Sequence, residues 1–186
     1  PEAIEHLLAL GAEFDKTPDG ELDCSREGGH RHARVVHANG DATGREIQRV
    51  LTNAVTGHDL ITTFSNTFAL DIVTVGGEAY GVVAKASSGN LVLFSSPNII
   101  LATGGGGQLY RETTNPTIAT ADGVAMAFRA GATIRDPEFF QFHPTCLYIA
   151  GAARVLISEI LRGHGGVLRD RYGKRFMHNA HPDAEL

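Results

Sequence analysis

The sequence has no apolar run near the ~20 residues that a membrane-spanning helix requires. Its opening stretch, PEAIEHLLALGAEF, is acidic and amphipathic, unlike the basic start of a secretory leader. Cysteine is scarce. Cys24 and Cys146 lie far apart in unlike surroundings, so free thiols in a reducing compartment are expected rather than a disulfide framework. An excess of positive charge is also missing: 16 Lys and Arg against 21 Asp and Glu leave a net charge of -5, which removes any general attraction to nucleic acid. Repeats and low-complexity tracts are absent. What remains is a chain of 186 residues, 42% hydrophobic, of a size for one domain or one domain and part of another. A soluble, cytoplasmic protein is expected. The chain starts at Pro1 and shows no helix stop after Leu186, so both ends read as cuts in a longer protein.

Periodicity places helices and strands in a mixed α/β order. Ile4, Leu7 and Leu8 recur at helical spacing over residues 2–10, with Gly11 as the stop. GREIQRVLTNAV reads as a second helix, capped by Asp41 or Thr43. Between them, SREGGHRHARVVHANG crowds Arg26, His30, Arg31, His32, Arg34 and His37 around two glycines, a loop of concentrated positive potential. From Ile61 to Thr103 β-branched and aromatic residues dominate, punctuated by GGE and SSGN turns. That pattern predicts a small antiparallel meander followed by a buried strand, NIILAT.

Two stretches carry chemical signals. In NIILATGGGG a strand runs into glycines, the way an α/β fold brings bare backbone against a phosphate or a flat ring. The glycines do not open a helix, so this is not the primary dinucleotide loop. Asp122 starts the following helix, ADGVAMAFRAGA, where the helix dipole favours an acid; an ordinary capped helix accounts for it equally well. Downstream, EFFQFHPTCLY sets His143 and Thr145 behind an aromatic run patterned for burial, and LISEILRGHGG supplies Ser158, Glu159 and Arg162. Glu159 and Arg162 are one helical turn apart and can pair. Histidine, hydroxyl and arginine together suit a carboxylate, because the guanidinium forks onto two oxygens. A core histidine beside a plain surface ion pair is the competing account. His30 and His32, on one side of a strand, with His37, His178 and His181, form a weak metal-binding alternative without a Cys or carboxylate at ligand spacing.

QFHPTCLY, ISEILRGHGG, GKRFM, HPDAEL, ATGG, TTNPTIATADGVAMAFRAG and REGGHRHARVVHANGDATGRE together resemble the succinate dehydrogenase and fumarate reductase flavoprotein family. Glu27 in REGGH and the HPDAEL ending point to its L-aspartate oxidase branch, and the likeness spans nearly the whole chain. The resemblance implies an FAD-binding Rossmann-like domain with a β-meander over residues 1–137 and the beginning of a substrate-capping domain over 138–186. It implies oxidation of L-aspartate to iminoaspartate with FAD, on the quinolinate route to NAD. Oxygen or fumarate would be the electron acceptor and quinolinate synthase a partner.

By the same resemblance, His143, Glu159 and Arg162 would be catalytic. Glu27, His143, Thr145 and Ser158 would bind substrate, with Glu27 facing the ammonium of aspartate. Phe68, Ala69, Ala102, Thr103, Gly104, Gly105 and Asp122 would line FAD. Several features depart from the family pattern. The GxGxxG segment and the PRD arginine are absent, His164 and Arg31 replace a glutamate and a serine, and TADG replaces SGDG. The expectation is therefore a central, inactive fragment of a flavoenzyme. A fumarate reductase or succinate dehydrogenase flavoprotein subunit and a noncatalytic dicarboxylate-binding module are the alternatives.

Overall fold

The computed structural model describes residues 1–185. In chain order its elements are helix α1 (Glu2–Ala9), strands β1 (Cys24–Ser25) and β2 (Val35–Val36), helix α2 (Thr43–Thr56), strands β3 (Phe68–Val75), β4 (Glu78–Lys85) and β5 (Leu91–Ser95), helix α3 (Asp122–Arg129), strands β6 (Cys146–Leu147) and β7 (Val155–Leu156), and helix α4 (Ile160–Gly163). One-turn 3₁₀ helices lie at Gly107–Leu109 and Met177–Asn179. Mixed α and β structure is thus what forms, with every strand pair antiparallel. Among the described residues no helix is long and apolar enough to cross a membrane. Contacts divide the chain into two units, one of Pro1–Thr63 with the segment from Ile157 onward, the other Phe64–Leu156.

In the first unit the helical spacing of α1 turns Ile4 and Leu7 onto a small core of Ala12, Phe14, Ala38 and Val50, which Leu22 and Val36 complete. Gly11, at φ 93°, ends the helix as expected. Polar tethers do the rest. The Asp15 carboxylate accepts the amides of Asn39 and Gly40, each at 2.9 Å, and pairs with His37 Nδ1 at 2.8 Å. The Gly40 amide first, then His37 and the Asn39 amide, hold Asp15 below its ordinary pKa. Glu46 on α2 is buried, where it accepts the Glu13 amide at 2.7 Å and both Nε and a terminal nitrogen of Arg49 at 2.8 and 2.6 Å. The Arg49 bonds, aided by the Glu13 amide, lower its pKa to about 2.

Two local expectations for this unit fail. Neither Asp41 nor Thr43 caps α2: Ala42 is the cap residue, and the Thr43 hydroxyl accepts the Ala38 amide at 3.3 Å. His30 and His32 do not lie on a strand either. Only Cys24–Ser25 and Val35–Val36 pair, because the Gly28–Gly29 turn breaks the chain between them and is closed by a 3.1 Å bond from the His30 amide to the Glu27 carbonyl.

In the second unit β3, β4 and β5 form the expected meander, in that order. Helix α3 is fastened to β3 by Arg129, which donates to Asp71 Oδ2 and to the Leu70 carbonyl, both at 3.0 Å. The buried strand NIILAT does not form. Residues 98–103 have no strand partner among the described residues, so nothing holds the backbone extended in a sheet, and Ile100 is 93% exposed. The aromatic run is not buried as patterned. It is irregular backbone, with Phe139 79% and Phe142 72% exposed, and only Phe140 is half-buried, against Tyr110 at a 5.0 Å ring separation.

Candidate active site

The first unit brings together Glu27, Ser158, Glu159 and Arg162. Ser158 lies two residues before α4, whose cap residue is Glu159, and its hydroxyl is 3.4 Å from the Ile160 amide. Glu159 and Arg162 pair at 2.8 Å, as the three-residue spacing anticipated. The REGGH loop lies directly on this turn. A Cβ built on Gly163 would stand 2.0 Å from the Arg26 carbonyl oxygen, and one on Gly28 would be 3.7 Å from the Arg162 guanidinium carbon. Only glycine at position 163 permits that approach, which is a physical reason for the glycine in RGHGG. His164, the departure from the family glutamate, turns back on its own helix with Nδ1 2.9 Å from the Ile160 carbonyl.

Two further residues organise this turn, Arg175 of GKRFM and Glu185 of HPDAEL. Glu185 is buried and takes a forked contact from Arg175, Nε to Oε1 at 3.0 Å and NH2 to Oε2 at 2.5 Å. It also accepts the Leu168 amide at 3.0 Å, while its own carbonyl receives Arg162 at 3.2 Å. Arg175 first, and the Leu168 amide after it, depress the Glu185 pKa to about 2. The only sequence signal was a charged pair ten residues apart in an irregular tail.

In the second unit, His143 is half-buried with Nδ1 2.9 Å from the Thr145 carbonyl and 3.2 Å from its amide. Thr145 therefore meets His143 through its backbone. His143 lines an open cavity of about 150 Å³ together with Tyr110, Glu112, Gln141, Cys146 and Arg154. Gln141, Glu112 and Arg154 were not singled out from sequence, although Gln141 stands two residues before His143 inside the quoted motif.

The residues expected to line FAD also fall in this unit. Ala102, Thr103, Gly104 and Gly105 are exposed irregular backbone, and a Cβ on either glycine would meet nothing within 4 Å. The start of α3 sits tightly on this run. A Cβ on Gly123 would overlap Thr103 Oγ1, and the Ala121 amide donates to the Gly105 carbonyl at 3.1 Å. Asp122 accepts the Thr120 hydroxyl in a short contact. Phe68 is exposed and Ala69 half-buried at the start of β3. Bare backbone beside an acceptor-only carboxylate fits a flat ring and hydroxyl donors, and disfavours a phosphate; that donor set suits the ring and sugar-chain end of FAD. Among the described residues no group of three or more His, Cys, Asp or Glu stands where it could hold a metal ion.

Comparison with known proteins agrees with the motifs. Residues 1–186 match the FAD binding domain family. The chain belongs to that family. It is 44% identical to an L-aspartate oxidase of Streptomyces coelicolor, over 100% of this chain and 33% of the relative. It is 46% identical to the chloroplastic L-aspartate oxidase 2-a of Nicotiana tabacum, over 100% of this chain and 31% of the relative. Among solved structures, a glutamate-to-glutamine variant of the E. coli quinol fumarate reductase FrdA superposes with a TM-score of 0.88 at 34% identity, covering 96% of this chain and 30% of that one. The Mycobacterium smegmatis Sdh1 complex gives 0.78 at 35% identity, over 94% and 32%. The chain thus spans about a third of the length of the relatives it matches. The resemblance to L-aspartate oxidases within the succinate dehydrogenase and fumarate reductase flavoproteins holds over the whole chain, and the expected FAD is the cofactor of the family it belongs to.

Proposed function

We propose that this chain is the central segment of an FAD-dependent L-aspartate oxidase of the cytoplasm, which converts L-aspartate to iminoaspartate for NAD synthesis. The observation that carries the reading is the seating of the REGGH loop on α4. With Gly28 against Arg162, a carboxylate that suits an ammonium and a guanidinium that suits a carboxylate share one local structure. An amino dicarboxylate needs both. Bound FAD would accept hydride from the substrate Cα, and oxygen or fumarate would regenerate it. In the first unit Glu27 would hold the ammonium, Arg162 steadied by Glu159 a carboxylate, and Ser158 would add a donor; in the second unit His143 and Thr145 would offer donors to a carboxylate. Ala102 to Gly105, with Phe68, Ala69 and Asp122, would hold the cofactor and fix the face it presents. In this reading the capping domain begins near Glu138, and quinolinate synthase receives the product.

A second reading, a fumarate reductase flavoprotein, draws on the 0.88 TM-score to the E. coli enzyme. Glu27→Gln in the full-length protein separates the two. Fumarate is a dianion without an ammonium, and a carboxylate ~6 Å from one of its charges at an effective dielectric of ~20 repels that charge by about 3 kcal/mol before screening. Oxidation of L-aspartate should fall while fumarate reduction is spared or improved. Equal losses on both substrates would remove Glu27 from substrate recognition, and the aspartate assignment would then rest on overall similarity alone.

A further inference from the structure

We propose that Arg154 is a positioning residue of the His143 cavity, which keeps the Glu112 carboxylate from repelling an entering dicarboxylate. The inference rests on the dicarboxylate reading above and adds to it the electrostatic control of entry. Arg154 stands just before β7, is only 15% exposed at its side chain and pairs with Glu112 at 2.5 Å. Its NH1 lies 3.4 Å from the Ile149 carbonyl and 3.3 Å from that of Ala152, and its guanidinium covers the Tyr148 ring at 4.2 Å. Carboxylate, carbonyls and ring together fix the cation in one place, with its charge directed at Glu112.

Both partners line the cavity that holds His143. An acid in the wall of a site for dianions is unfavourable unless it is neutralised. The other cation at Glu112, Arg111 at 3.3 Å, is 92% exposed and holds it loosely. Arg154 is therefore the group whose removal leaves Glu112 facing the cavity as an uncompensated charge. The pair should behave asymmetrically. Losing Arg154 alone hinders a dianion, while losing Glu112 alone leaves a cation that favours one.

The test titrates succinate into the full-length flavoprotein and follows the perturbation of flavin absorbance. Arg154→Met should raise the succinate Kd about tenfold, equivalent to about 1.4 kcal/mol, at unchanged flavin content. Glu112→Gln should leave the Kd unchanged or lower it, and the double variant should recover most of the loss. A parallel readout uses Cys146, an exposed thiol on the same cavity. Succinate should protect it from iodoacetamide in the wild type and protect it less in Arg154→Met. An unchanged Kd in Arg154→Met, or a double variant as weak as the single one, overturns the inference. If Arg154→Met fails to fold, a raised Kd in Glu112→Gln does so instead. A wild-type protein that does not respond to succinate removes the dicarboxylate reading itself, and the role of Arg154 falls with it.

Discussion

Gly163→Ala tests whether the REGGH loop and the α4 turn form one rigid piece. The new Cβ would lie 2.0 Å from the Arg26 carbonyl oxygen, about 1 Å inside the closest approach such atoms tolerate, and a tight 3.2 Å from the Glu27 carbonyl carbon. Neither neighbour is a side chain that can swing away. The loop is held at its base by the Arg34 amide bonded to the Ser25 carbonyl at 3.1 Å, and within by the His30 to Glu27 bond of the same length. Overpacking of this kind costs about 1 to 3 kcal/mol. The full-length protein, about three times as long, shifts less than the ~2 to 4 °C per kcal/mol of a chain of this size, so its Tm should fall by a few degrees.

The functional consequence should be larger. Relieving the clash should shift the loop that carries Glu27 against α4 by about 1 Å, and a misplacement of that order can cost about a hundredfold in rate. Both quantities are read on the full-length protein, Tm by thermal denaturation and turnover with L-aspartate as peroxide release. Gly28→Ala is the control, because its Cβ would meet only the Arg162 side chain at 3.7 to 3.8 Å, an ordinary contact. Unchanged Tm and turnover in Gly163→Ala, or equal damage from Gly28→Ala, would refute the reasoning.

His143→Ala in the full-length protein should weaken succinate binding by about 1.5 to 3 kcal/mol, the worth of a hydrogen bond to a charged group; an unchanged Kd would return His143 to a purely structural role. Val50→Ala removes methyl groups from the largest fully buried side chain of the small core and should cost about 2 kcal/mol, read by denaturant unfolding. Glu185→Gln should lower Tm at neutral pH. The folded carboxyl pKa, about 2, lies below its ordinary 4.5, so this stability is present above pH 4.5 and is lost as pH falls toward 2. The Tm gap between wild type and variant should therefore be constant near neutrality and close over that interval; a gap that persists at pH 2 would assign the effect to packing.

Local pattern was legible wherever one residue type decides the outcome. The helical spacing of Ile4 and Leu7, the Gly11 stop, the meander with its glycine turns and the Glu159–Arg162 pair each follow from short-range rules. The rest depends on partners that spacing cannot name. Apolar composition made NIILAT a strand, yet a strand exists only beside another, and residues 98–103 have none among those described. The hydroxyl of Thr43 was free to cap α2, but the Ala38 amide claimed it. Glu112 and Arg154, 42 residues apart, carry no shared sequence signal, and neither does Glu46 with the Glu13 amide 33 residues away.

The first unit rests on these long-range polar bonds more than on its core. Its buried apolar cluster is small, and three of its four buried members, Ala12, Phe14 and Ala38, lie in the segments that follow α1 and β2. The loop and the α4 turn are instead positioned by the Gly163 approach, the Arg162 bond to the Glu185 carbonyl and the Arg175–Glu185 fork. Hydrophobic burial tolerates small shifts, since it depends on area, whereas a backbone contact and a forked ion pair fix distance and direction. The proposed site, which would read an ammonium and a carboxylate together, needs the second kind of restraint. That is why the residues with the least conspicuous sequence signal, a glycine and an acid in an irregular tail, set the geometry that the conspicuous motifs use.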